Sequence, residues 1–176
     1  MIHKETDLGT TLSNWMVLER FDSNDQVKHM GLLSLQSWQS KQEDIVRNTR
    51  EKKYFKSEQG KRITFMQVLS VSFLKYHLSS AFVYVRKTPT QEEVLRVQNF
   101  LSDIDLVMGD LNLDTYRNED SDKINLFCKS RSQILNEVTT TWFNQLDHIL
   151  LDCSLFPSYF TTSFRNHTTD HHAIVF

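Results

Sequence analysis

Glycine is scarce in this chain of 176 residues: Gly9, Gly31, Gly60 and Gly109 are the only four, and no two lie within ten residues of each other. A phosphate cradle of the Walker or dinucleotide kind needs clustered glycines, so that backbone amides can approach the anion closely. Nucleotide sites of that design are excluded. Cysteine is rarer still. Cys128 and Cys153 cannot build a disulfide framework, and a reducing compartment is the simpler reading. No run approaches the roughly 18 apolar residues that a membrane helix needs. Met1-Ile2-His3-Lys4-Glu5 lacks the basic-then-apolar pattern of a secretory signal. These absences predict a soluble protein of the nucleus or cytoplasm, neither secreted nor membrane-bound.

The residues that are plentiful point to a packed core. Apolar residues make up 39% of the chain and include twelve Phe and three Trp, too apolar a balance for a disordered polypeptide. The length suits one domain, spanning 1–176. A net charge of −2 conceals an asymmetry. Arg47, Arg50, Lys52, Lys53, Lys56, Lys61 and Arg62 face only Glu51 and Glu58 between 47 and 62, giving +5 there and −7 elsewhere. A basic segment on an acidic body can touch a polyanion while the body holds cations. A solvated loop is the plainer reading of the same residues.

Hydrophobic spacing gives a coarse map. Trp15 to Leu18 and Val27 to Leu35 read as two strands joined by a turn at Asp22-Ser23-Asn24-Asp25. The charged stretch from Gln39 to Arg62 reads as a loop with at most a short helix. Ile63, Phe65, Leu69, Val71 and Phe73 alternate with polar residues as a half-buried strand does, and Ala81 to Val85 is a further strand. Thr90 and Glu93 have capping-box spacing ahead of a helical face of Val94, Val97 and Leu101. Ile104 to Met108 reads as a buried strand ending at Gly109-Asp110, and Ser121 to Lys129 as a second helix. Val138 to Trp142, Leu146 to Leu151 and Ala173 to Phe176 complete the strands. Many strands with few helices predict an α+β fold of layered sheets with helices outside.

Carboxylates gather at strand ends. Asp110 and Asn112 follow a buried strand and, two residues apart in an extended segment, point the same way. An acid there can take a proton from water or hold a cation, and the amide can donate to a phosphoryl oxygen; an Asx turn is the structural alternative. Asp147 lies inside the apolar run Leu146 to Leu151, where a carboxylate needs a partner or a metal. Thr169-Asp170-His171-His172 precedes the closing strand. His148, His167 and His172 read as surface or packing residues, zinc lacks a second well-spaced ligand pair, and Trp15, Trp38 and Trp142 read as core or loop packing.

This ordered set resembles the endonuclease/exonuclease/phosphatase superfamily, with its deoxyribonuclease-I-like fold. Glu5-Thr6 matches the family's Glu-Thr motif, and Tyr84 with Pro89 its Tyr-and-Pro stretch. Gly109-Asp110-Leu111-Asn112 matches Gly-Asp-Phe-Asn, Leu146-Asp147-His148-Ile149 matches Ile-Asp-Tyr-Ile, and Thr169-Asp170-His171 matches Ser-Asp-His. Order and spacing agree from Glu5 to Phe176. Within the family the chain is similar to endonuclease domains of mobile elements. It departs in two places: the family's Asn-bearing strand before the Glu has no counterpart ahead of Glu5, and Phe82 stands where many relatives have Asn.

The resemblance implies a four-layer α/β/β/α sandwich of two mostly antiparallel sheets, lacking its N-terminal strand. It implies a Mg²⁺-dependent phosphodiesterase acting on DNA, with Mn²⁺ able to replace Mg²⁺. In that scheme Glu5 and Asp170 hold the metal and Asp110 takes a proton from the attacking water. Asn112 donates to the phosphate, and His171, oriented by Asp147, contacts a non-bridging oxygen. Tyr84 donates its hydroxyl to the phosphate or the leaving group. The 47–62 segment would bind the nucleic acid. A phosphatase on a small phosphoester, and a non-catalytic remnant of such a domain, are the competing expectations.

Overall fold

The computed structural model describes residues 15–21, 32–37, 45–56, 62–73, 77–85, 87–128, 131–135, 137–152, 154, 160–165 and 170–175. Glu5, Thr6, Trp38, Cys153, His167 and Thr169 lie outside these. Along the chain run β1 (Trp15–Phe21), β2 (Leu32–Ser37), β3 (Ile45–Lys56), β4 (Arg62–Phe73) and β5 (Leu78–Val85). There follow α1 (Gln91–Phe100), β6 (Leu106–Asp110), α2 (Asn118–Phe127), β7 (Ser132–Gln133), β8 (Asp147–Leu151), β9 (Thr162–Phe164) and β10 (Ala173–Val175).

A six-stranded sheet in the order β3-β4-β5-β6-β8-β7 forms the centre, with separate two-stranded sheets β1-β2 and β9-β10. All its pairs are antiparallel except β5 with β6. That parallel pair needs a crossover, which α1 supplies. The helix begins where expected: Thr90 Oγ1 accepts the Glu93 N–H at 3.3 Å, and Glu93 Oε2 accepts the Thr90 N–H at 2.8 Å. Val94 and Val97 of α1, with Leu101 beyond it and Ile124 and Phe127 of α2, pack on Met66, Val68, Ala81, Val83, Val85, Val107 and Leu150. Buried Arg131 closes the end of α1, donating from Nε to the Ile104 carbonyl at 2.7 Å and from Nη2 to the Leu101 carbonyl.

Strand alternation sends the other residues to the opposite face. There Leu106, Ile149 and Leu151 pack with Ile134 and Leu135, and Met108 and Ile174 lie against them. Ile174 belongs to β10, so the second sheet layer meets the first on the face away from the helices. The fold is α+β with layered sheets and helices outside, as the residues predict.

Three expectations are corrected. Within the charged 39–62 stretch, Ile45–Lys56 is not a loop but strand β3, paired with β4 along its length. Among the described residues it ends the strand order of the sheet, and β4 supplies its backbone hydrogen bonds. Val138 to Trp142 is not a strand; its one ladder contact is the isolated bridge Thr140↔His171. Its β-branched run suggests extension, but its backbone groups are taken by Asn144, Asp170 and His172. The second helix starts earlier than expected, at Asn118.

Candidate active site

Register builds the site. Tyr84 of β5 pairs with Asp110 of β6, and Asp110 pairs with Asp147 of β8. The three side chains stand in one row on the face turned toward the second sheet, one end of a surface whose next row is Phe82, Met108 and Ile149. Gly109 permits this closeness. Its φ is +137°, and a Cβ there would lie 1.9 Å from the Val83 carbonyl oxygen. A side chain would push β6 away from β5 and break the row.

Beyond Asp110 the chain turns sharply. Asn112 has φ 51°, a left-handed conformation that Asn tolerates better than most residues. Its backbone N–H donates to Asp110 Oδ1 at 2.8 Å, and its side-chain Nδ2 donates to the Val85 carbonyl at 2.5 Å. One amide hydrogen therefore fastens the turn to the end of β5. The Asp110 carboxylate closes an Asx turn on the Asn112 N–H, so the structural alternative for this pair is present.

His171 comes from the second layer. Its Nδ1–H donates to Asp147 Oδ2 at 2.8 Å, which directs Nε2 toward Asp110 Oδ2, 4.0 Å away. The side chains of Asp110 and Asp147 are 13% and 15% exposed and that of His171 is 34% exposed, so water screens their charges only partly. Burial pushes the Asp110 carboxyl up to about 7, and the negative Asp147 beside it adds to the rise, against the Asn112 N–H and His171. The hydrogen bond to Asp147 raises His171 to about 9; burial opposes this, and the charges of Asp147, Asp110 and Asp170 reinforce it. Between those two values the site presents a carboxylate base beside an imidazolium. Asp170 is exposed, its charge acts on both groups, and its carbonyl accepts the Thr141 N–H at 2.8 Å.

Six sequence-predicted residues thus meet here: Tyr84, Asp110, Asn112, Asp147, Asp170 and His171. Glu5 lies outside the described residues. His148, next to Asp147, points to the other face, is fully buried and donates Nε2–H to the Leu113 carbonyl at 2.8 Å; it packs, as expected. Trp142 does not pack: it is 74% exposed, and Phe143 beside it, with φ 61°, is exposed too. Both sit in the loop that bridges to His171, and exposed Tyr116 follows the Asn112 turn. Buried Asp114 ties the two loops together by accepting the N–H of Gln145 and of Tyr116, each at 3.2 Å.

Among the described residues no three His, Cys, Asp or Glu side chains form a group that could hold a metal ion by themselves. The acidic groups are nonetheless hard oxygen donors, and Asp110 is raised by burial and by the negative Asp147 beside it. Mg²⁺ suits such a setting, since it takes one or two carboxylates and keeps several waters. The carboxylate donors are of the kind that a hard divalent cation takes.

No protein-family model and no curated protein matches the sequence. Solved structures do. The human Nocturnin catalytic domain with bound sulfate is 11% identical with a TM-score of 0.54, over 97% of this chain and 74% of that one. An endonuclease/exonuclease/phosphatase family protein from Bacteroides thetaiotaomicron is 11% identical with a TM-score of 0.53, over 96% and 76%. D. rerio TDP2 complexed with single strand DNA product is 12% identical with a TM-score of 0.50, over 95% and 78%. With its motif order and its row of acids, the chain takes the fold of the endonuclease/exonuclease/phosphatase superfamily.

Proposed function

We propose that the protein is a Mg²⁺-dependent phosphodiester hydrolase that cuts DNA. The observation that carries this is the Asp110–His171–Asp147 constellation: a buried carboxylate held beside an imidazole whose other nitrogen is bound by a second carboxylate. Asp110 accepts the proton of the attacking water, a role worth about 10²–10⁴ in rate. The His171 imidazolium directs Nε2–H at a non-bridging oxygen, where negative charge grows as the bond forms. Asp147 keeps that imidazole charged and oriented. Asn112 gives its second amide hydrogen to the phosphate, and the Tyr84 hydroxyl serves the phosphate or leaving oxygen. Glu5 and Asp170 are the residues assigned to Mg²⁺, with Mn²⁺ as a substitute, and the ion supplies positive charge to the phosphoryl oxygens when bound.

Two features favour a polynucleotide over a small phosphoester. The basic residues of the β3–β4 hairpin suit a repeating polyanion. Trp142, Phe143 and Tyr116 offer flat apolar surface on the loops around the site, on which bases can stack. The D. rerio TDP2 structure holding single strand DNA product is consistent with this choice.

The test is nicking of supercoiled plasmid with Mg²⁺, comparing wild type with Asp110→Asn and His171→Ala. Nicking by wild type, lost in both variants and on chelation of the metal, supports the reading. Wild-type nicking no greater than that of the variants rejects it. Absent nicking with hydrolysis of a small phosphomonoester would move the substrate to that class.

A further inference from the structure

We propose that Thr139 is a positioning residue that sets the geometry of the Asp147–His171 pair; the catalytic part of this claim rests on the hydrolase reading above. Asp147 and His171 belong to different layers. Asp147 opens β8 of the six-stranded sheet, whereas His171 precedes β10 of the two-stranded sheet, and no strand ladder joins those sheets among the described residues. Their 2.8 Å hydrogen bond therefore needs another element to fix the two backbones relative to each other.

Thr139 touches both. It is fully buried, and its Oγ1 accepts the N–H of Leu146 at 3.0 Å and of Asp147 at 3.1 Å. Its carbonyl accepts the N–H of His172 at 2.7 Å, and its own N–H donates to the Asn144 carbonyl at 2.9 Å. The hydroxyl thus grips the strand that bears the carboxylate while the carbonyl grips the segment that bears the imidazole. The same anchor reaches Asp110, because the Leu146 carbonyl accepts the N–H of Leu111 at 3.0 Å. Two amides occupy both lone pairs of the hydroxyl, a duty that Ser can perform and Val cannot.

The experiment compares Thr139→Val, which keeps the shape and loses the acceptor, with Thr139→Ser, which keeps the acceptor. The expectation for Thr139→Val is a fall in kcat of about tenfold to a hundredfold with KM little changed, as for a small misplacement of catalytic groups. Thr139→Ser should stay close to wild type. A loss in Thr139→Ser as large as that in Thr139→Val overturns the proposal in favour of a general structural role.

A second readout needs no turnover. The downfield proton resonance of His171 Nδ1–H bound to Asp147 should be present in wild type and Thr139→Ser and lost in Thr139→Val; its persistence in Thr139→Val overturns the proposal. Should Thr139→Val fail to fold, Thr139→Ala, which also lacks the acceptor, takes its place. If the wild type cuts no phosphodiester, the hydrolase reading fails while the resonance still decides the role of Thr139.

Discussion

Asp110, the proposed general base, works against the stability of its own fold. Its ordinary value is 3.8 and its folded value about 7, so the native state binds more protons than the unfolded chain between those limits. Stability from this group falls as pH rises from about 4 through 7 and does not return above it. His171 has the same sign: its value rises from 6.5 to about 9, so its contribution is complete below 6.5 and is lost as pH rises through 9. Asp110→Asn is therefore expected to abolish hydrolysis yet stabilise the protein at pH 8 by roughly 1–3 kcal/mol, with little gain near pH 4. Urea denaturation at the two pH values measures it. Equal stability at pH 8 would mean that the carboxyl is not strained. The same pair sets an activity window, rising near pH 7 as Asp110 ionises and falling near pH 9 as His171 loses its proton. Because the hydrogen bond to Asp147 is the main cause of the His171 rise, Asp147→Asn should move the alkaline limb of the pH–rate profile downward.

At the scale of elements, β6 depends on one missing side chain. Gly109→Ala would place a Cβ 1.9 Å from the Val83 carbonyl oxygen at a φ of +137°. The strands must separate, and the expected cost is about 2–4 kcal/mol, visible as a lower midpoint of thermal or urea unfolding. Activity should fall further than stability alone explains, because the parting strands carry Tyr84 and Asp110. Which elements were legible in the sequence follows from how local their causes are. The capping box of Thr90 and Glu93 is local and forms as expected. The strand predicted from Ile63 to Phe73 forms too, but its residues in the core are Met66 and Val68, on the face that the alternation gave to Thr64, Ser70 and Ser72. The β3 strand was hidden because its charged residues suit solvent as well as a sheet edge, and only pairing with β4 decides between them. The Val138–Trp142 run misled in the opposite direction. Its β-branched residues favour extension, but tertiary hydrogen bonds from Thr139, Thr140 and Thr141 make it a clamp between layers. The strand-end motifs made most of the site visible, whereas Thr139 carried no signal beyond being one threonine in a row of three.

Across the whole molecule, charge is divided as the proposed cutting of DNA requires. Acids surround the candidate site, where that reading needs a cation and a bare phosphate would be repelled. The hairpin of β3 and β4 concentrates Arg47, Arg50, Lys52, Lys53 and Lys56 on the outer strand of the central sheet. Attraction at the hairpin can offset repulsion at the acids only if both touch the same polyanion. Two consequences separate this from a hairpin that is merely solvated. Affinity for DNA should fall steeply with salt, with a log–log slope of about −3 if three of these cations replace counterions on the duplex. Arg50→Glu combined with Lys52→Glu should flatten that slope by about two and raise KM on plasmid. Hydrolysis of a small diester that never reaches the hairpin should be unchanged. Binding measured by fluorescence anisotropy between 50 and 200 mM salt, roughly the range over which such contacts are lost, provides the comparison. A slope near zero for the wild type would detach the basic strand from substrate binding and leave the phosphate site to select its substrate alone.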